Sequence, residues 1–420
     1  MPCAARTFTA VSIPWMAVGL AVASIASMSI VSLASAAPSS TRKVRNPAPR
    51  PDRARALVRS AQEPSRIDID AESEDDDENL RLFAREAREP APRLPLDLEW
   101  INSPLLGLQD LRGRVVLIEV WEASCINCLR TLPVLGRLHT RYALSGLTVI
   151  GIHSPEFIFT AGRAFVEKAA RRLGLRFTVA SDTNKSFWKS WQVHGWPTCF
   201  LVDSRGMLAS MGQGEFTAGL MDRQVRALLR EARPAQQLPP EAENPSGPDP
   251  RVAECGFVTP EVSTRAGREF LLSPEGYRPS ETILYADPGL ARREGTLFLR
   301  GPWSWLPNGL KRGCGNAPAS IGITYTGKEV YAVLANPAAT QQQVEIRQDG
   351  RPLTTANKGR DVAILGDGRS VIVLNESRLH YLVVNPDTGR HDLELFPSSP
   401  FFEIHGFSFS NRCQTDFPHQ

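Results

Sequence analysis

The sequence lacks a glycine-rich phosphate loop of either the Walker or the dinucleotide type, so no motif points to nucleotide binding. It lacks a second close Cys/His pair, so its seven cysteines do not read as a four-ligand zinc site. It lacks a strong net charge. Its 48 basic residues against 45 acidic ones leave +3, which makes no case for nucleic acid. No internal repeat is evident, and only one stretch is apolar enough to be weighed against a membrane. With 420 residues, 42% hydrophobic and 22% charged, the chain has room for two or three globular domains and a large core.

The apolar stretch lies at the N-terminus. Residues Thr7 to Thr41 carry no charge, Arg6 precedes an apolar run from Val11 to Leu33, and Ala34-Ser-Ala36 has the small-x-small form of a signal-peptidase site. Residues 1–36 are therefore expected to be a signal peptide, with an uncleaved N-terminal anchor as the alternative. Either places the rest of the chain outside the cytoplasm, in the periplasm or cell envelope. Apart from Cys3, six cysteines remain, which permits disulfides in an oxidising compartment.

Composition then divides the chain. Pro38 to Arg66 holds eight basic residues and two acidic ones, and Asp68 to Glu78 holds eight acidic residues and no basic ones. Neither has an apolar period, so residues 37–94 read as a disordered, solvated tether. From 95 to 233 strand and helix patterns alternate, the signature of an α/β layer fold. Strands are expected at Val115–Trp121, Leu147–His153, Arg176–Ala180, Thr198–Asp203 and Gly206–Met211, and helices at Cys125–Tyr142, Thr160–Leu173 and Met221–Glu231. Residues 234–253 form a linker, with six prolines between Pro234 and Pro250. Residues 254–420 carry short β-rich segments separated by Thr326-Gly327, Asp349-Gly350, Asp367-Gly368 and Asp387-Thr-Gly389. These predict an all-β sandwich of jelly-roll type.

The chemistry concentrates at Cys125-Ile-Asn-Cys128, between an apolar run and a helical pattern. Free backbone N–H groups and the helix dipole stabilise a thiolate at a helix start. A second thiol one turn on can reach the first and release a mixed disulfide. Pro133 lies inside the helical pattern and removes one hydrogen bond there. Glu119 falls on the same side of its strand as Val115, Leu117 and Trp121. A carboxyl buried there would have a raised pKa and could take a proton from Cys128; an edge-strand carboxylate facing water is the alternative. Trp196-Pro197 precedes a strand, and its isomer is open on these grounds, with trans favoured by general frequency.

Taken together, Trp121-x-x-x-Cys125-x-x-Cys128, Pro133 and Trp196-Pro197 resemble the thioredoxin superfamily, of the extracytoplasmic TlpA/redoxin type, over residues 96 to 229. The resemblance implies an α/β thioredoxin fold with Cys125 as nucleophile, Cys128 as resolving thiol, Pro197 as cis-proline and Glu119 as buried acid. Ser124-Cys-Ile-Asn-Cys-Leu-Arg-Thr-Leu-Pro133 and Ile152-His-Ser-Pro-Glu-Phe157 further resemble the periplasmic region of DipZ-type proteins. So do Thr259-Pro-Glu261, Gly301-Pro-Trp303 and Gly406-Phe-Ser-Phe409 in the β-rich region. That likeness adds His153 and Glu156, with Trp121 and Trp196, as expected lining of the substrate cleft; a turn role for Ser154-Pro-Glu156 is the alternative. DipZ-type proteins usually carry a multispan electron-carrying membrane domain. Only one apolar segment occurs here, so a separate membrane electron-transfer protein is the expected donor.

The resulting expectation is an exported thiol–disulfide oxidoreductase that reduces disulfides in exported proteins, with cytochrome c maturation as one setting. It needs no cofactor and no metal. Two alternatives remain. The aromatics Trp303, Trp305, Tyr325 and Tyr331 fit a carbohydrate-binding-like envelope module, or else core packing. A thiol peroxidase of the redoxin group is disfavoured because Glu122-Ala-Ser-Cys125 lacks the expected Thr. Cys199 is expected to be a buried strand thiol, with a third redox-active thiol as the alternative. One structural disulfide is expected among Cys255, Cys314 and Cys413.

Overall fold

Val115–Trp121 is a run of β-branched and large apolar residues, and it forms the centre of the first sheet. The protein was analysed as a computed structural model, which describes residues 88–240 and 256–411 apart from 217, 265–270, 280, 288, 290–291 and 339. The N-terminal apolar segment, residues 37–87 of the charged tether, Cys3, Cys255, Cys413 and most of the proline-rich linker lie outside the described residues. Residues 88–94, read as the end of that tether, are ordered: Glu89–Pro90 pairs with Met207–Leu208 and Leu94 is buried in the core.

The first region runs β1 (Glu89–Pro90), β2 (Glu99–Trp100), β3 (Val115–Trp121), α1 (Ile126–Tyr142), β4 (Leu147–His153), α2 (Arg163–Arg172), β5 (Thr178–Ser181), α3 (Ser186–Ser190), β6 (Thr198–Val202), β7 (Met207–Gln213) and α4 (Ala218–Ala232). Its seven strands lie in the order β1-β7-β6-β3-β4-β5-β2. The strands β3, β4 and β5 are parallel, and β6 and β7 add antiparallel to one side. Alternation along β3 sends Val115, Leu117 and Trp121 to one face, where α1, α2 and α4 cover them. Val116, Ile118 and Val120 go to the other, against Phe187, Trp191 and the segment before β3. Each such fully buried aliphatic side chain contributes about 1.5–3 kcal/mol of hydrophobic stabilisation. This is the thioredoxin fold.

The second region is one eleven-stranded antiparallel sheet around a single core. Two long strands, Ser320–Ala335 and Arg378–Pro397, run through it. The first pairs with Leu297–Leu306 along its early residues and with Glu403–Ser410 along its later ones. Gly309–Arg312 joins those two partners, so the sheet folds back on itself to enclose its core. The all-β reading holds.

Two expected turns do not occur. Thr326-Gly327 and Asp387-Thr-Gly389 lie inside continuous strands, and Thr326 and Gly327 face Arg390 and Gly389 across the ladder, beside a register shift. Break-prone residues on both strands meet at one place, and there they accommodate a bulge instead of ending the strands. Asp349-Gly350 and Asp367-Gly368 are turns, with φ of 52° and 74° at the first pair and 84° at Gly368.

The aromatics offered as a sugar platform are core. Trp303, Trp305, Tyr325 and Tyr331 are all buried, and the Trp305 indole N–H donates to the Tyr285 hydroxyl at 2.8 Å. Cys314 is disulfide-bonded.

Candidate active site

Cys125 caps the N-terminus of α1 in extended backbone, and its sulfur accepts the Cys128 amide at 3.2 Å. The cap places Cys125 partly exposed and turns Cys128 inward, where it is fully buried. The two sulfurs are 2.7 Å apart as free thiols. Burial pushes the Cys128 thiol well up, and the neighbouring Cys125 and Glu119 add to the rise. A partly exposed sulfur backed by a buried, reluctant one is the division of labour that attack followed by resolution requires. Pro133 lies inside α1, which continues to Tyr142.

Glu119 is completely buried in the central strand β3, so the water-facing alternative does not apply. Burial pushes its carboxyl up to about 8, although hydrogen bonds from Thr131 and Cys199 pull the other way. Thr131 lies 2.6 Å from Oε1, and the Cys199 thiol lies 3.5 Å from Oε2. Glu119 and Cys199 are register partners on β3 and β6. Cys199 is thus a buried strand thiol, raised by burial and by the carboxylate beside it. A thiol held in that state is a poor nucleophile.

The Trp196–Pro197 bond is cis. Thr198 pairs with Val120, which puts Pro197 at the cysteine end of β3. Trp196 is half-buried, donates its indole N–H to the Ser154 carbonyl at 3.0 Å, and lies 4.3 Å from the Trp188 ring. Lys185 sits over both rings at 4.7 and 4.9 Å.

Trp121 and His153, expected in the cleft lining, are both fully buried. Trp121 lies on the core face of β3, its ring 4.9 Å from the His153 ring. His153 acts on the backbone: the Ala123 amide donates to its Nε2 at 3.2 Å. Glu156 is half-buried in the loop after β4, one residue before Phe157.

Several residues that contribute here are not evident from sequence. Glu122 is buried, accepts the Ser124 amide at 2.5 Å and the Ser124 hydroxyl, and lies 3.6 Å from His153 Nε2. Burial alone would raise its carboxyl, but the neighbouring His153 and the Ser124 hydroxyl outweigh that and hold it below the usual range. An acidic residue three positions before a cysteine pair, at the end of an apolar strand, was the available signal. Thr131 follows Cys128 at i+3 on the buried side of α1, again a polar residue among apolar ones. Ile126, inside the cysteine pair, packs in a cluster with Phe157 and with Tyr331, Val333 and Leu379 of the second sheet. Arg130 pairs with Glu215 at 3.1 Å and also interacts with Tyr331. No local signal in the sequence joins those positions.

Residues 102–229 match the Redoxin family, and residues 260–410 match the thioredoxin like C-terminal domain. DipZ proteins of Mycobacterium bovis and Mycobacterium tuberculosis are 33% identical over 275 residues, 64% of this chain and 38% of theirs. The chain therefore spans well under half the length of those relatives. The thiol-disulfide oxidoreductase ResA of Geobacillus kaustophilus is 27% identical over 121 residues, 29% of this chain and 67% of that protein. Among solved structures, a thiol-disulfide isomerase from Corynebacterium glutamicum is 29% identical, covering 33% of this chain and 96% of that one, with a TM-score of 0.31.

Proposed function

Because the chain joins a redoxin domain to a thioredoxin-like C-terminal domain, we propose that it is a thiol–disulfide oxidoreductase acting outside the cytoplasm. The observation that carries this reading is the contrast between partly exposed Cys125 and buried Cys128, with a buried acid of raised pKa behind them.

In the proposed direction the dithiol reduces a substrate. Cys125 thiolate attacks one sulfur of the substrate disulfide, and the other sulfur leaves as a thiolate. Cys128 then gives its proton to Glu119 and attacks Cys125 Sγ. The Cys125–Cys128 bond forms, the mixed disulfide breaks, and the substrate's second thiolate takes up a proton. Two electrons have passed from the protein to the substrate. The substrates are disulfides in exported proteins, with cytochrome c maturation one setting. A separate membrane protein restores the dithiol. The uncharged stretch before residue 42 supports an envelope location, as signal or anchor. In this reading cis-Pro197, which precedes the strand paired with the cysteine end of β3, and half-buried Trp196 serve as the surface offered to substrate.

Insulin-disulfide reduction, together with the reduction potential of the cysteine pair, tests this. The reduced wild-type chain should reduce insulin, and Cys125→Ser should lose about a thousandfold or more of that rate, since no other described thiol is exposed. Cys128→Ser should accumulate a mixed disulfide visible by mass. A strongly oxidising potential with no reductase activity would reverse the assigned direction.

A further inference from the structure

Thr131 makes two contacts that its single hydroxyl proton cannot serve at once. Its Oγ1 lies 2.6 Å from Glu119 Oε1 and 3.0 Å from the Cys128 carbonyl, and the residue is fully buried. A hydroxyl has one proton to donate and two lone pairs to accept with. When Glu119 is a carboxylate, the hydroxyl donates to Oε1. When Glu119 is protonated at Oε1, the oxygen nearest Thr131, the carboxyl proton points to Oγ1 and the hydroxyl turns its own proton away. The Cys128 carbonyl, with a second lone pair free of the helix ladder, lies within reach to receive it. Both arrangements leave every proton paired, and neither requires a heavy atom to move.

We propose that Thr131 is a positioning residue that holds the Glu119 carboxyl in one place through both of its protonation states, by reversing its hydroxyl between Glu119 and the Cys128 carbonyl. This rests on the reading of Glu119 as the proton acceptor of Cys128. The acceptor must change state once per turnover while fully buried, where an unsatisfied donor or a displaced carboxyl is costly. An ordinary structural threonine satisfies one state only.

The other groups facing Glu119 do not supply this. Cys199 on β6 has its thiol 3.5 Å from Oε2, a weak donor toward the carboxylate. Glu215, ahead of α4, acts through space and is itself paired with Arg130 at 3.1 Å. Cys128, whose thiol Glu119 helps to raise, is the proton source in the proposed cycle. On β4 the register partner of Glu119 is Gly151, which carries no charge.

The test uses the reduced full chain and a chromogenic aromatic disulfide, followed by stopped flow from pH 5.5 to 9.5. The first thiol released reports attack by Cys125 and depends on reagent concentration. The second reports resolution by Cys128 and does not. In Thr131→Val the second phase should slow about tenfold at pH 7, with its inflection about one pH unit higher, because the carboxylate loses its strongest donor. The first phase should be unchanged, and Thr131→Ser should restore the second to within about twofold of wild type. If Thr131→Val does not fold, Thr131→Ala, a good helix residue, reads the same two phases.

Superimposable second-phase profiles in wild type and Thr131→Val would overturn the proposal. Equal slowing of both phases at every pH would overturn it too, since that is a packing defect. If Glu119→Gln also leaves the second phase untouched, the assignment of Glu119 fails along with it. Release of no thiol at all would sink the oxidoreductase reading instead.

Discussion

Both regions of this protein bury a small polar cluster in an apolar interior, but the two clusters obey different rules. In the second sheet, Tyr325 donates to Gln348 at 2.9 Å, Gln348 donates to Asn385 at 3.0 Å, and Asn385 donates back to the Tyr325 hydroxyl at 3.1 Å. Donors and acceptors match around a closed ring, and all three groups are neutral amides or a hydroxyl. Burial pushes the Tyr325 phenol further up, so the ring stays neutral across any physiological pH. In the first sheet, Glu119 meets Thr131 and Cys199, and the set holds a proton that can leave. A saturated neutral ring specifies a core. A titratable set with one reversible hydroxyl can move a proton through a core.

The sharpest way to break this comparison is to make the titratable cluster neutral. Glu119 has a folded value of about 8 against an ordinary 4.5, so the folded state binds the extra proton across that window. Its effect on stability is therefore a loss that grows as pH rises from about 4.5 to about 8, on the order of a few kcal/mol. Glu119→Gln should flatten that fall, and urea midpoints measured at pH 5 and pH 8.5 check it. A fall that persists in the variant would assign it to other groups.

The converse is to make the neutral ring titratable. Gln348→Glu removes the donor to Asn385 and introduces a buried carboxyl; it should destabilise the protein by about 2–3 kcal/mol, more at pH 8 than at pH 5. Reductase activity measured where the variant is folded should match wild type. A smaller and pH-independent effect is expected of Tyr325→Phe, which leaves one donor and one acceptor short and should cost about 1–2 kcal/mol. A pH-dependent loss in that variant would contradict the closed-ring account.

Particular residues show how far the sequence could be read. The strands Val115–Trp121 and Leu147–His153 were legible to the residue, because runs of Val, Ile and Leu between turn signals have no competing local structure. The breaks at Thr326-Gly327 and Asp387-Thr-Gly389 were misread, because a turn-prone pair ends a strand only when the chain has nothing to pair with beyond it. Here each break faced the other. The site divides likewise. Cys125, Cys128 and Glu119 announced themselves by spacing and by a charge in an apolar run. Trp121 and His153 were read toward the cleft because sequence gives the strand end and not the depth; the structure turns both inward.

By itself the sequence determined the chemistry at Cys125-Ile-Asn-Cys128, because a helix start and a spacing of three are local facts of backbone geometry. Only the tertiary structure decided what surrounds that chemistry. Register between β3 and β6 brought Cys199 to Glu119, and the axial rotation of α1 on the sheet brought Thr131 to the same carboxyl. The second sheet, about two hundred residues further along, supplied Tyr331, Val333 and Leu379 against Ile126. Contacts of that kind depend on how whole surfaces fit together, and the short-range periodicity that reveals a strand or a helix carries no record of them.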